Sequence, residues 1–290
     1  MIKHYLVTTE HLENTLWFRD EEDFKVAMNY IALLAANHPE VIILAFILMS
    51  NHVHFVLKGK QKDILCFINK FKGLYSQYMR RKYGTKDFLR RNKVHLKEIG
   101  NNPEALERSI AYVQMNSVAA NICSNPTQYP WGTGNTFFNP SYPEGKLLKS
   151  FSKRALKRIL HSDCDTLPKD WLLLSAGYIL PKSYVDFRTV ESCYHTPKRM
   201  NYFNTISSKA RRRIDSGEAV LPTFKDQTIK NFIPEICRVY FNDRSYGDLL
   251  LEEQSEVLRQ VRFRFSADAH QIARVVGLSY AQAARMLDSE

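Results

Sequence analysis

Two histidines, His52 and His54, stand two residues apart in an apolar, β-prone run from Ala45 to Leu57. On a strand, side chains alternate with period 2, so both imidazoles point the same way. Tyr112 and Asn116 stand four apart in Arg108-Ser-Ile-Ala-Tyr-Val-Gln-Met-Asn116. On a helix that spacing puts them on one face. Two imidazoles and an amide oxygen are a ligand set for a divalent cation, and a phenol beside them is a nucleophile for a phosphodiester. Each piece alone also fits an ordinary role: a half-buried histidine pair, a core tyrosine, a surface asparagine. The combination points to chemistry because the chain also carries a basic track for a polyanionic substrate.

That track lies between Lys58 and Lys97, where thirteen Lys or Arg face two acids, Asp63 and Asp87. The surplus equals the whole net charge of +11 of this 290-residue chain. A field so concentrated recruits nucleic acid, although a charge run is also the ordinary face of a solvated helix. Lys70, Lys72, Arg80, Arg81, Lys82, Arg90, Arg91 and Lys93 are the expected phosphate contacts. Interleaved aromatics suit single strands better than duplex. The 4-4-3 spacing of Phe67, Phe71, Tyr75 and Tyr78 fits a core stripe more readily than base-stacking platforms. Tyr75 and Tyr78 are the next phenols to consider after Tyr112.

The elements that must position these residues follow from periodicity and punctuation. Ile2–Thr8 reads as a strand. Asp20-Glu-Glu-Asp23 opens a helix that runs to about Asn37, with Pro39 beyond it. Val41–Met49 and Asn51–Leu57 read as a strand pair. Asp63 is the expected cap of a helix to Tyr83, closed by Gly84. Val94–Ile99 is a further strand, and Asn101-Asn-Pro103-Glu104 opens the helix of Tyr112. The order β-α-β-β-α-β-α predicts an α+β, ferredoxin-like antiparallel sheet with helices on one face. Loop-rich stretches at Trp131–Gly134 and Asn139–Gly145 place a boundary near 140–150. The expected division is a catalytic domain over 1–140 and a mostly helical C-terminal domain over 151–290. Within the latter, residues 249–287 carry helix-turn-helix punctuation, with Ser266 and Ser279 as caps and Gly277 at the turn. A second basic knot stands at Arg211–Arg213.

No apolar run reaches membrane-spanning length, and Met1–Thr9 is too short and polar for a signal peptide. Five scattered cysteines without a CxxC exclude a zinc-ribbon spacing and fit a reducing compartment, the cytoplasm.

The first 138 residues resemble the HUH-type tyrosine transposases, most closely the REP-associated subgroup. That family carries Met-Pro-Asn-His-Val-His-Leu, where this chain has Met49-Ser-Asn-His-Val-His-Phe55. It carries Tyr-Ile-His-Leu-Asn-Pro-Val, where this chain has Tyr112-Val-Gln-Met-Asn-Ser-Val118, and Tyr129-Pro-Trp131 follows as in the family. The resemblance implies that His52, His54 and Asn116 ligate Mg²⁺ or Mn²⁺. It implies that Tyr112 attacks single-stranded, hairpin-forming DNA, leaving a 5′-phosphotyrosine and a free 3′-OH. The implied assembly is a monomer or homodimer. Three positions depart from the pattern: Ser50 and Ser117 replace prolines, and Gln114 replaces a histidine. Without proline at 117 the helix is free to run on and turn Asn116 from the metal. Two other readings compete. One is a DNA-binding regulator derived from a transposase without its activity. The other is a metal hydrolase, which needs further ligands; His95 is the nearest candidate.

Overall fold

The computed structural model describes residues 1–12, 15–86, 88–100, 104–141, 143–163, 165–207, 224–265 and 267–288. The expected helix start at Asn101–Pro103, the basic knot at Arg211–Arg213 and the cap at Ser266 lie outside them.

The N-terminal elements are β1 (Lys3–Thr9), α1 (Glu21–Asn37), β2 (Ile42–Met49), β3 (His52–Gly59), α2 (Gln61–Tyr83) and β4 (Val94–Glu98). They form a four-stranded antiparallel sheet in the order β2-β3-β1-β4, which is the ferredoxin-like order. The side chain of Asp20 caps α1 by accepting the N–H of Asp23. Gly84 closes α2 in the left-handed region, at φ 67°. Asp63 is not the cap of α2. Lys60 holds that position and Asp63 lies in the first turn, where a carboxylate still favours the helix's positive end.

Strand β3 is central and buried on both faces. Phe55 faces Phe67 and Phe71 of α2, with ring centroids 6.4 and 6.1 Å away. Phe67, Phe71, Tyr75 and Tyr78 are all buried, so this stripe is core, as its spacing predicts. By period-2 alternation His52 and His54 face the other side. There the sheet is met by α3 (Ala105–Gln114), which packs on β2 and β3 and is followed by α4 (Asn116–Ala119).

The hydrophobic cluster on the sheet continues through Tyr178, Val190, Tyr194 and Phe203. Thus α6 (Phe187–Tyr194) and α7 (Pro197–Ser207) pack against α3. Between them and the sheet domain in chain order come a two-stranded sheet, β5 (Gly145–Leu147) with β6 (Leu172–Leu174), and α5 (Lys153–Leu160), whose apolar residues cluster with Ala32 and Leu33 of α1. A separate cluster gathers α8 (Asp226–Phe241), α9 (Leu251–Phe265), α10 (Ala269–Val276) and α11 (Tyr280–Asp288). Asp268 caps α10, Gly277 turns the chain at φ 77°, and Ser279 and Gln282 form a reciprocal cap on α11.

Candidate active site

The register of β1 against β3 sets the site. Thr8 pairs with His54, and Thr8 Oγ1 lies 2.9 Å from His54 Nδ1. His52 Nδ1 lies 2.7 Å from Asn51 Oδ1, which can only accept, so Nδ1 carries the proton. With Nδ1 engaged in both rings, Nε2 is the nitrogen each can offer a metal. Nε2 is buried in both. Partners at the second nitrogen are the usual means of fixing ring orientation and tautomer in metal sites. The rings stand 4.6 Å apart between centroids and nearly perpendicular, at 89°.

Tyr112, half-buried on α3, meets His54 edge to face, with centroids 5.5 Å apart at 87°. Helix α3 ends at Gln114, Met115 interrupts it, and Asn116 opens α4. The helical path nearly runs on, with Ala119 N–H bonded to the Met115 carbonyl. Asn116 is buried, and its Nδ2 donates to the Tyr112 carbonyl at 2.7 Å. That anchors the amide one turn beyond the tyrosine and leaves Oδ1 as its ligating atom.

A third imidazole stands here that the sequence reading missed. His11 stacks on His52, with centroids 3.7 Å apart and planes 13° apart. Potential ligand atoms of His11, His52 and His54 all lie within 4.8 Å of one another. His11 sits in the loop after β1, outside any periodic pattern. The cross-strand pairing of Thr8 with His54 was the signal that places this loop beside the histidine pair. His95, the candidate further ligand of the hydrolase reading, is exposed on β4 and pairs with Thr8.

The basic residues divide by use. Arg80, Arg81, Arg90, Arg91 and Lys93 are exposed. Arg80 and Arg90 line a cleft of about 330 Å³ between α2 and the 85–90 turn, with Phe88 in its wall. Lys72 reaches the same cleft but is buried, and its ammonium donates to the Asn92 carbonyl. Burial holds the Lys72 pKa below the usual lysine value. Asn92 in turn donates to the Glu10 carbonyl, beside His11. Lys70 lies 3.0 Å from Nε2 of His38. Lys82 is ion-paired with Asp20 and with the fully buried Asp23, at 2.7 and 2.8 Å. Burial raises the Asp23 pKa, with Asp20 adding to it, and Tyr78 and Tyr83 also donate to this carboxylate. Tyr75 donates to the Trp17 carbonyl, and burial pushes the phenols of Tyr75 and Tyr78 upward. Neither of these alternative phenols is placed to ionise.

A strand carrying two inward histidines thus faces a helix that brings a tyrosine against one of them. Residues 4–115 match the family model of IS200-like transposases. The transposase match takes in His11, His52, His54 and Tyr112 and ends one residue short of Asn116. It likens the sheet domain and the helix of Tyr112 to that family. No curated protein and no solved structure matches the chain. No helix among the described residues is long and apolar enough to cross a membrane.

Proposed function

We propose that this protein is a metal-dependent single-stranded DNA endonuclease and strand transferase of the REP-associated subgroup, with Tyr112 as nucleophile. The observation that carries the reading is the edge-to-face contact of Tyr112 with His54, beside a cluster of three imidazoles. Nothing in an ordinary core calls for a half-buried phenol against a histidine whose second nitrogen is already tied to a hydroxyl.

The Nε2 atoms of His52 and His54, with Oδ1 of Asn116, are the donors that would hold Mg²⁺ or Mn²⁺. When bound, the cation would supply Lewis-acid polarisation of the scissile phosphate. Tyr112 Oη attacks the phosphorus. The Oη–P bond forms, the P–O3′ bond breaks, the phenolic proton goes to solvent and the leaving oxygen takes a proton to become the 3′-OH. The product is a 5′-phosphotyrosine. Attack by another 3′-OH reverses the exchange, so rejoining needs no external energy source. The exposed Arg80, Arg81, Arg90, Arg91 and Lys93 are the proposed phosphate contacts of the strand, with Phe88 available for stacking. Lys72 and Lys82 serve the fold instead. The capped α10–α11 pair, with Tyr280, Gln282 and Arg285 outward, fits duplex DNA next to the cut strand.

The test is incubation of end-labelled single-stranded hairpins with Mg²⁺ or Mn²⁺, followed by denaturing gels. The wild-type protein is expected to give an adduct that survives denaturant, and Tyr112→Phe to give none while still binding the strand. An equal adduct yield from Tyr112→Phe would move the nucleophile elsewhere.

A further inference from the structure

His11 has no counterpart in the ligand set that the resemblance implies. Its place is nonetheless fixed from both sides. Glu10 N–H donates to the Lys93 carbonyl at 2.9 Å, and Leu12 N–H donates to the Asn51 carbonyl at 3.0 Å. Asn51 then returns the tie, because its Nδ2 donates to the Leu12 carbonyl at 3.2 Å. The same side chain accepts the Nδ1 proton of His52 through Oδ1. One buried asparagine thus holds the loop of His11 and the ring of His52 in a common frame.

Within that frame His11 lies against His52 as a parallel ring, and His54 stands across both. Two nitrogens bound about 2.1 Å from one ion at a right angle are about 3 Å apart. The candidate donor atoms of the three rings lie within 4.8 Å of one another, and a tilt of the exposed His11 ring out of the stack would aim its nitrogen at the ion that His52 and His54 face. His11 is exposed whereas His52 and His54 are buried, so its ring forms the solvent side of the cluster.

We propose that His11 is a third imidazole ligand, and that the site therefore selects a first-row transition metal such as Mn²⁺, Co²⁺ or Zn²⁺ over Mg²⁺. The proposal rests on the reading of His52 and His54 as metal ligands. Its chemical basis is ligand type. Imidazole suits transition ions, whereas Mg²⁺ demands hard oxygen donors and gives up its waters reluctantly. Two imidazoles and an amide leave most of an octahedral shell to water. A third imidazole removes one more water position and tips the balance further from Mg²⁺.

The experiment uses the full chain and Co²⁺ as an absorbing probe, titrated with and without excess Mg²⁺. His11→Phe keeps a ring against His52 but has no ligating nitrogen, so it separates ligation from stacking; His11→Ala removes both. Both variants are expected to weaken Co²⁺ binding by roughly tenfold or more, at least the range seen for losing an outer-sphere partner. Mg²⁺ is expected not to displace Co²⁺ at comparable concentration. A second readout is histidine-selective ¹⁵N NMR with Zn²⁺, where three imidazoles shift in the wild type and two in His11→Phe. Unchanged Co²⁺ affinity in His11→Phe would overturn the ligand role, and ready displacement by Mg²⁺ would overturn the selectivity. If His52→Ala and His54→Ala also leave Co²⁺ binding unchanged, the metal reading itself fails. Adduct formation by Tyr112 is scored separately, so the two failures are distinct.

Discussion

Thr8 and His54 are direct cross-strand partners, and the hydroxyl of one lies 2.9 Å from Nδ1 of the other. The strand register therefore also orients a candidate ligand. Thr8→Val keeps the β-branched shape and removes only the hydrogen-bonding group. We expect metal affinity or cleavage to fall by about 10–100-fold with little change in thermal stability. Titration and melting curves of the same variant check it. Unaltered metal affinity would mean that the hydroxyl does not set the ring.

Three neighbouring basic residues on α2 are expected to divide, with Arg80 and Arg81 on one side and Lys82 on the other. Charge reversal at Arg80 and Arg81 should weaken single-strand binding and flatten the plot of log K against log salt by about 0.7 per lost phosphate contact. Lys82→Met should leave that slope alone. It removes the cation from the buried Asp23 carboxylate and should cost about 1–3 kcal/mol of stability. Salt-dependent binding and denaturant unfolding of both variants separate the roles. A flattened slope in Lys82→Met would return that residue to the DNA track.

The helix of Tyr112 is gripped from behind. Glu107, buried on α3, accepts Arg199 Nε of α7 at 2.6 Å, and Tyr194 of α6 donates to the Glu107 carbonyl. Arg199→Ala should destabilise the fold by stripping a buried carboxylate of its partner. It should also slow cleavage without weakening strand binding, because the phenol loses its fixed approach to His54. Equal cleavage rates for variant and wild type would show that α3 holds its position unaided.

Much of the sheet domain was legible because its signals are local. Alternation marks β1 and β3, Asp20 and Gly84 cap their helices, and the 4-4-3 aromatic spacing marks the buried face of α2. Spacing placed His52 and His54 on one face of a strand and Tyr112 on a helix, and the structure brings His54 and Tyr112 into contact. His11 was not, because its place depends on strand register. The fate of Lys82 was hidden for the same kind of reason: Asp20 and Asp23, which claim it, sit on another helix. Loops after Trp131 suggest a boundary near 140–150, yet apolar side chains from Tyr178 to Phe203 join the sheet's core. Turn residues mark where the chain bends, not which core it joins next.

The helical unit carries its own acid sensitivity. Arg274, aided by Gln271, holds the Asp226 carboxyl below the usual carboxylate range and ties α8 to α10. A depressed folded pKa contributes stability above the unfolded value of about 3.9 and loses it as pH falls through the folded value. Asp226→Asn should therefore be less stable than wild type near neutrality, with the difference shrinking below about pH 4. Melting curves across that range check it. A gap that stayed constant with pH would contradict the assignment.

The central claim is that Tyr112 takes up the DNA phosphate beside His54. Mass spectrometry of the digested adduct tests it most directly. After reaction with a single-stranded hairpin and nuclease trimming, the account predicts a nucleotide 5′-phosphate on the peptide that begins at Ser109, with fragmentation placing it on Tyr112. The same mass shift on Tyr129, Tyr75, Tyr78 or a serine, with Tyr112 unmodified, would contradict it.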